Sequence, residues 1–337
     1  MNELFRSAAQ GRFGRKVKHE RGAKIPVTLL TGFLGAGKTT LLQHFLRTPE
    51  GAGTAVVVNE FGAVGIDDAL LRTSSDETVL LGNGCVCCTT RTDLQNALRS
   101  LVIERDRGVI PDFRRVVIET SGLADPGPIL QTFATDRALG DLFHVELMAV
   151  VVDAATGLAT LDRAPEARKQ VILGDLLIIS KADLCDAKAL AAMEQRIRAL
   201  NSRAAIVTAQ HGVIDPQRLL ESTVERTAFV AEAEHSDLVR SFVVADDEPI
   251  RWPIFARTME TLAALRGPDL LRVKGFLDVE GCTGPVLVQF VQHLAHPPVE
   301  LTAWPDGKRG SRLVFITRNL PEAQVRGLFA AVKALGG

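Results

Sequence analysis

Residues 31–40 read TGFLGAGKTT and contain the pattern G-x-x-x-x-G-K-[ST], which begins at Gly32. The pattern follows an apolar run, IPVTLL at residues 25–30, and leads into a segment with helical spacing at residues 39–47. A strand, a glycine-rich turn and a helix in this order distinguish a phosphate-binding loop from an ordinary turn. The sequence therefore predicts a nucleotide site at the end of the first strand.

The chemistry of this loop assigns roles to its residues. Glycines allow backbone N–H groups to turn inward around the β-phosphate at the N-terminus of a helix, where the helix dipole also favours negative charge. We expect the Lys38 ammonium to reach the β- and γ-phosphate oxygens and the Thr39 hydroxyl to ligate Mg²⁺. The predicted nucleotide contacts of the loop are Gly32, Gly35, Ala36, Gly37, Lys38, Thr39 and Thr40.

A second element ends the apolar run RRVVIET at residues 114–120. Glu119 places a carboxylate at the end of a buried strand, where Mg²⁺ and its water ligands need an oxygen partner. The Gly122 N–H is expected to donate to the γ-phosphate. Lys38, Thr39 and Glu119 are therefore the predicted catalytic residues. Taken alone, Glu119 could also be an acidic residue that simply ends a strand.

A third element, SKAD at residues 180–183, follows the apolar run DLLIIS. Asp183 can accept hydrogen bonds from N1–H and the 2-amino group of guanine, while the stem of Lys181 packs on the base. Adenine would set an acceptor against the carboxylate, and a site built to pair a donor rejects an analogue that lacks it by about 10⁴. Asp183 thus favours GTP. The alternative interpretation of the motif is a surface turn that caps the next helix. An ATP-using small-molecule kinase is an alternative function for the same phosphate loop, and Asp183 argues against it.

Three of the five cysteines, Cys85, Cys87 and Cys88, lie within four positions in the glycine-flanked segment GNGCVCC. Soft sulfur ligands favour Zn²⁺ or Cu(I). Because structural zinc sites have four ligands, three thiolates leave one position for exchange or for a further ligand. Glu60, His44 and a group from a partner protein are candidates for that position. Buried inert cysteines and a redox site are the alternatives.

Short runs rich in Val and Ile alternate with helical segments from Ile25 to about Arg218. The runs are apolar on both faces, as a parallel strand between two helix layers requires. The predicted fold is a doubly wound α/β domain with a mostly parallel sheet, followed by a small α+β domain with helices on one face of a mostly antiparallel sheet. The predicted division is a basic leader (1–24), a P-loop GTPase domain (25–222), a linker (223–240) and a C-terminal domain (241–337).

Composition excludes several classes of protein. Lys and Arg number 39 against 40 Asp and Glu, a formal net charge of −1, so the basic surplus of a nucleic-acid binder is missing. The longest apolar runs are shorter than the roughly 18 residues of a membrane helix. The cysteine usage is typical of a reducing compartment, so we expect a cytoplasmic protein. The basic leader is interpreted as disordered, with an organellar transit peptide as the alternative.

With GFLGAGKTT, NEFGAVGID, GNGCVCC, ETSGLADP and SKAD in this order, the chain resembles the CobW-type metallochaperone GTPases of the signal-recognition-like branch of P-loop proteins. The segments LLRVKGFLDVEG, VQHLAHPPV and SRLVFITRNL are similar to the C-terminal domain of that family. The resemblance implies GTP-dependent delivery of zinc, cobalt or a related ion to a client metalloprotein. It implies that Cys85, Cys87 and Cys88 carry the metal and that Glu60 lies on the switch loop.

The chain departs from the family pattern in two places. The guanine element of the family usually reads Asn-Lys-x-Asp, whereas Ser180 stands first here. The histidines His211, His235, His293 and His296 are scattered rather than gathered in a histidine-rich stretch, which favours transfer of single ions over metal storage. In addition, no glutamine follows Gly122 in the usual water-orienting place, which predicts slow intrinsic turnover.

The leading hypothesis is a Mg²⁺-dependent GTPase that binds one Zn²⁺, or alternatively Co²⁺, and hands it to a client on hydrolysis. The coupling would run through the switch around residues 60–67, because loss of the γ-phosphate relaxes such loops. The alternative is a nucleotide-switched regulator or activator of a cobalt or iron enzyme. In that case this chain itself would carry no metal. The C-terminal domain is expected to contact the client or a second copy of the chain, as in a homodimer.

Overall fold

The computed structural model describes residues 24–59, 79–80, 91–220, 233–234, 239–292, 294–304 and 307–335. The chain divides into two compact units, one formed by Ala23–Thr223 and the other including Val224–Gly337. In the described ranges, no helix is both long and apolar enough to cross a bilayer.

The first unit is built on a sheet whose described strands all pair in parallel. The strands are β1 Ile25–Gly32, β2 Thr54–Asn59, β3 Val79–Leu80, β4 Arg115–Thr120, β5 Phe143–Asp153, β6 Leu176–Ser180 and β7 Ala205–Thr208. Their order across the sheet is β3-β2-β4-β1-β5-β6-β7. Because β1 lies between β4 and β5, the strand order reverses beside it, and ligands of such sheets bind at the carboxyl ends of the strands at that point.

Helices connect these strands. They are α1 Lys38–Leu46, α2 Arg91–Asp106, α3 Pro126–Thr135, α4 Arg137–Leu142, α5 Gly157–Arg163, α6 Pro165–Leu173 and α7 Ala187–Leu200. Aspartates cap several of their N-termini: the side chains of Asp125, Asp136 and Asp186 accept hydrogen bonds from first-turn N–H groups of α3, α4 and α7. Proline occupies the first position of α6, where a missing N–H costs nothing.

Burial of the central strands explains the sequence pattern. Every residue of β6 is buried, as are the last seven residues of β5. One core, which includes Leu30, Leu42 and Val117, lies between the sheet and α1. The prediction of strands that are apolar on both faces is therefore confirmed, and with it the doubly wound α/β fold.

The second unit is an antiparallel sheet with helices against one face. Its elements are β8 Ala233–Glu234, β9 Val239–Asp246, α8 Trp252–Arg266, β10 Leu270–Leu277, β11 Val286–Val291, β12 Leu294–Ala295, β13 Val299–Glu300, β14 Ser311–Arg318 and α9 Glu322–Leu335. The main strand order is β12-β11-β10-β14-β9-β8, with β13 paired to β11. Its core stacks Phe242 on Phe315, with ring centroids 5.5 Å apart, under residues of α8 and α9.

The predicted α+β arrangement of this unit is confirmed. Its sheet begins earlier in the chain than the sequence indicated, because Ala233 and Glu234 pair with β9 and β9 itself starts at Val239. The domain limits given in the sequence analysis stay predictions.

Candidate functional site

The phosphate loop connects β1 to α1. Gly37 has a φ of 92°, a left-handed conformation that favours glycine, and it immediately precedes α1. Since glycine has no side chain, the first N–H groups of α1 stay accessible to an anion. The Lys38 ammonium lies across the loop and donates to the carbonyl oxygens of Gly32 at 3.0 Å and Phe33 at 3.3 Å.

Thr39 and Glu119 meet at the edge of the sheet. The Thr39 hydroxyl donates to Glu119 Oε1 at 2.6 Å, and the glutamate is only 5% exposed. The ends of β4 and β1 are joined by a hydrogen bond of 2.8 Å from Thr120 Oγ1 to Thr31 Oγ1. The first turn of α1 and the end of β4 thus bring a hydroxyl and a carboxylate together, the hard oxygen donors that Mg²⁺ prefers.

The segment after β4 touches the phosphate loop backbone to backbone. A Cβ added to Gly122 would lie 2.5 Å from the backbone nitrogen of Leu34, so a side chain at this position would push the two segments apart. On its other side, the carbonyl oxygens of Gly122 and Ala124 accept hydrogen bonds from Gln170 Nε2 of α6 at 3.2 and 3.0 Å. Gly122 is therefore fixed between the loop and α6.

The predicted guanine element, residues 180–183, is held in place by contacts of its first two residues. The buried Ser180 hydroxyl donates to the Ala36 carbonyl at 2.6 Å, and Lys181 Nζ lies 2.7 Å from Asp153 Oδ2 at the end of β5. Burial disfavours the charge of Asp153, but the Lys181 ammonium and the N–H groups of Ala155 and Thr156 outweigh it and hold its pKa below the usual value. These contacts join the ends of β5 and β6 to the phosphate loop.

Asp183 follows on a short 3-10 turn, Ala182–Leu184. Its Oδ1 accepts the N–H of His211 at 3.0 Å, and its Oδ2 lies 3.4 Å from Nδ1 of the same histidine. The His211 N–H is the main reason why the pKa of this carboxyl is lowered. The turn carrying His211 also contacts α1, since a Cβ on Gly212 would come within 2.8 Å of Thr40 Cγ2. Thr40 thus lies between the loop and the base element.

Two family models match the chain. The model described as "CobW/HypB/UreG, nucleotide-binding domain" matches residues 26–208, and the model described as "Cobalamin synthesis protein cobW C-terminal domain" matches residues 239–333. The chain belongs to the CobW family. The family predicted from the motifs is confirmed.

Relatives of this CobW-family chain are similar over most of its length. The zinc chaperone YjiA of Escherichia coli is 37% identical over 320 residues, which cover 92% of this chain and 99% of the relative. The crystal structure of the Zn(II)-bound YjiA GTPase has a TM-score of 0.63 at 34% identity, with coverage of 92% and 99%. The prediction that this chain is a GTPase is confirmed by its similarity to the YjiA GTPase.

Two further relatives are more distant or shorter in their match. The zinc chaperone CobW of Pseudomonas aeruginosa is 32% identical over 343 residues, with 90% of each chain covered. The zinc-regulated GTPase metalloprotein activator 1 of Schizosaccharomyces pombe is 36% identical over 198 residues, which cover 57% of this chain and 47% of that protein.

The predicted metal ligands of this CobW-family chain stay predictions. Cys85, Cys87, Cys88 and Glu60 lie outside the described residues. His44, the other candidate ligand within the chain, is in the last turn of α1 with its ring against Gly212. Within the part of the chain that the structure describes, no three His, Cys, Asp or Glu residues come together as a metal site would require.

Two residues of the site were missed by the sequence analysis. Asp153 is the last residue of the buried strand β5 and Glu119 is the last but one of β4, and this similar position was the signal that could have identified Asp153. Gln170 carries a weaker signal, a polar residue between the buried Ala167 and Val171 of a helix. Its partner Gly122 is 48 positions away, so only the folded chain reveals the contact.

Proposed function

We propose that this chain is a Mg²⁺-dependent GTPase that carries Zn²⁺ on Cys85, Cys87 and Cys88 and transfers it to a client metalloprotein in the cytoplasm. The observation that carries the proposal is the hydrogen bond between Thr39 and Glu119 beside a glycine-rich phosphate loop. Asp183, presented at the end of β6, supports a guanine base. Zinc is supported by the full-length similarity to YjiA and CobW, both named zinc chaperones; Co²⁺ is the alternative cargo.

The oxygen donors of Thr39 and Glu119 fit Mg²⁺, because this ion takes hydroxyl, carboxylate and water oxygens. Thr39 would hold the ion directly and Glu119 would complete its surroundings. When bound, the ion neutralises negative charge on the β- and γ-phosphates.

The other residues bind and orient the nucleotide. The Lys38 ammonium, now on the carbonyls of Gly32 and Phe33, exchanges these partners for phosphate oxygens, which are stronger acceptors because they are charged. The N–H groups at the start of α1 bind the β-phosphate, and the Gly122 N–H binds the γ-phosphate. Hydrolysis removes the γ-phosphate, to which the Gly122 N–H is bound. Loss of this phosphate relaxes the switch around residues 60–67 and thereby changes the affinity of the protein for zinc.

Slow intrinsic turnover belongs to this proposal. Leu123, not glutamine, follows Gly122, so the segment lacks the usual residue that orients the attacking water. With Mg²⁺ present, we expect zinc-free protein alone to hydrolyse GTP slowly, with acceleration when zinc is bound. Rapid turnover by zinc-free protein in Mg²⁺, measured as released phosphate, would contradict this gating.

The metal site is tested by counting zinc ions per chain during titration of the wild type and of Cys87→Ser. The matched control is Cys185→Ser, which removes a partly buried cysteine of the same unit. We expect the Cys87 variant to lose one tightly bound zinc per chain and the Cys185 variant to lose none. Unchanged stoichiometry in Cys87→Ser would eliminate the cysteine site.

Transfer is tested by following zinc release to a chromophoric chelator with GDP or with a non-hydrolysable GTP analogue. We expect the two nucleotides to give different release rates. Equal rates, with normal stoichiometry, would contradict nucleotide-controlled delivery.

The second candidate is an activator that responds to nucleotide without carrying metal. It is favoured by the 36% identity over 198 aligned residues to the fission-yeast protein named as a metalloprotein activator. The zinc count separates the two candidates, because an activator of this kind would hydrolyse GTP with no stoichiometric zinc on the cysteines.

A further inference from the structure

Gln170 is a buried polar side chain that links α6 to the segment after β4. It is 1% exposed, and its Nε2 donates to the carbonyl oxygens of Gly122 at 3.2 Å and Ala124 at 3.0 Å. A buried amide group without partners is strongly unfavourable, so these two hydrogen bonds determine where the amide lies. The helix that carries it packs against β1 and β5, the strands on which the site is built.

These hydrogen bonds orient the peptide groups that face the nucleotide. In a trans peptide the C=O of Gly122 and the N–H of Leu123 point in opposite directions. The hydrogen bond from Gln170 to this carbonyl therefore fixes the direction of both groups. The preceding carbonyl, that of Ser121, accepts the Ala124 N–H at 3.0 Å. The Gly122 N–H, which shares a peptide plane with that carbonyl, is therefore also set in direction.

The same helix makes one more contact with this segment and shares a cavity with the phosphate loop. Lys169 Nζ lies 2.5 Å from Asp125 Oδ2, while Asp125 Oδ1 accepts the Gly127 N–H at 2.9 Å and caps α3. Behind the phosphate loop, Phe33 and Gln170 line a common cavity of about 20 Å³. Because residues 122–125 contact α6 through Gln170 and Lys169, a displacement of this segment would also displace α6.

We propose that Gln170 is a positioning residue of the nucleotide site: it holds the Gly122–Ala124 segment in the orientation that the γ-phosphate requires and transmits the occupancy of that phosphate to α6. Gln170 itself touches neither the phosphates nor the reacting water. The inference rests on the proposed GTPase activity and specifies how that activity is tied to the fold.

The test compares wild type with Gln170→Met, which keeps the length of the side chain and removes both donors. Because only a triphosphate uses the Gly122 N–H, we expect the affinity for a non-hydrolysable GTP analogue to fall relative to that for GDP. We expect kcat for GTP to fall about tenfold to a hundredfold, the effect of small misplacements near a reacting centre, with GDP affinity unchanged. An unchanged kcat and an unchanged ratio of the two affinities would overturn the proposal.

Asn201→Leu is the matched structural control. Asn201 is also a buried amide, and its Nδ2 donates to the carbonyl oxygens of Val171 and Gly174 at the end of α6, both at 2.9 Å. We expect this variant to lower the melting temperature without changing the ratio of GTP-analogue to GDP affinity. If both variants weakened the two nucleotides equally, Gln170 would have only a structural role and the proposal would be wrong.

Hydrogen exchange of the wild-type protein tests the same link without any substitution. We expect the GTP analogue, compared with GDP, to slow exchange both in residues 121–125 and in residues 165–173. A response in the first segment without one in the second would overturn the proposal. Absence of any GTP hydrolysis by the wild type would instead contradict the proposed function, so the two failures are distinguishable.

Discussion

The hydroxyl of Ser180 donates a hydrogen bond of 2.6 Å to the carbonyl oxygen of Ala36, 144 positions earlier in the chain. Both residues are buried, Ser180 with 4% and Ala36 with 2% of its surface exposed. The contact joins β6, which leads into the predicted base element, to the phosphate loop. Under the proposed function, Ser180 therefore connects the predicted base element to the phosphate loop, and this contact does not require the asparagine that is usual in the family.

Ser180→Ala removes this tie and leaves the Ala36 carbonyl without that donor. A lost buried hydrogen bond costs about 1 kcal/mol or somewhat more, so we expect roughly fivefold to tenfold weaker binding of GTP and GDP alike. The preference for GTP over ATP should not change, because Ser180 binds the loop and not the base. Titration with fluorescent nucleotides measures both quantities, with Ser202→Ala as a control, because Ser202 is a half-buried serine in the connection between α7 and β7. A changed GTP-to-ATP ratio in Ser180→Ala would mean that this residue reads the base.

Asp183→Asn should exchange the base preference of the site. The amide can donate to the 2-oxo group of xanthine, whereas it sets a donor against the 2-amino group of guanine. We expect the affinity for GTP to fall by about 10² or more and xanthosine triphosphate to become the better ligand. Competition binding with GTP, ATP and xanthosine triphosphate measures the change. His211→Asn keeps the backbone N–H that Asp183 accepts and tolerates the left-handed backbone of this position, so it should stay near wild type.

Asp153 and Lys181 can be tested by a double-mutant cycle with Asp153→Asn and Lys181→Met. The pair is partly exposed, so we expect a coupling free energy of about 0.5 to 1 kcal/mol. The folded-state pKa of Asp153 is lowered, so its contribution to stability is complete above the ordinary aspartate pKa of about 3.9 and is lost as the pH falls through the folded-state value. Urea unfolding should thus show a constant difference between wild type and Asp153→Asn from pH 6 to 8, and a shrinking one below pH 4. A difference that grows in acid would contradict the pairing.

The local elements were predictable because each depends on residues close in sequence. Helix α7 spans Ala187–Leu200, because its apolar residues recur at helical spacing and Asp186 caps it. Helix α1 starts one residue earlier than expected, at Lys38, because the left-handed Gly37 lets the helix begin directly after it. The last helix, α9, starts at Glu322, directly after Pro321, a residue that is well tolerated at the start of a helix.

The contacts that connect the parts of the site were not predictable in the same way. Ser180 and Ala36, Lys181 and Asp153, and Gln170 and Gly122 are far apart in the chain. They meet because β4, β1, β5 and β6 are neighbours in that order. Periodicity identifies strands without giving their order, so residue type and position predicted the individual groups but not their partners.

Glu119→Gln separates the charge of the proposed magnesium site from its hydrogen bond. The amide oxygen can still accept from Thr39 Oγ1, so the local contact is retained while the negative charge is lost. We expect the midpoint of Mg²⁺ activation to rise and kcat at saturating Mg²⁺ to fall by about 10² or more, because electrostatic stabilisation is the main contribution to phosphoryl transfer. Nucleotide affinity without Mg²⁺ should hardly change. Thr39→Ser, which keeps the hydroxyl, is the matched control and should retain most activity, whereas Thr39→Val should resemble Glu119→Gln. A Glu119→Gln variant with an unchanged Mg²⁺ midpoint would show that the carboxylate only ends its strand.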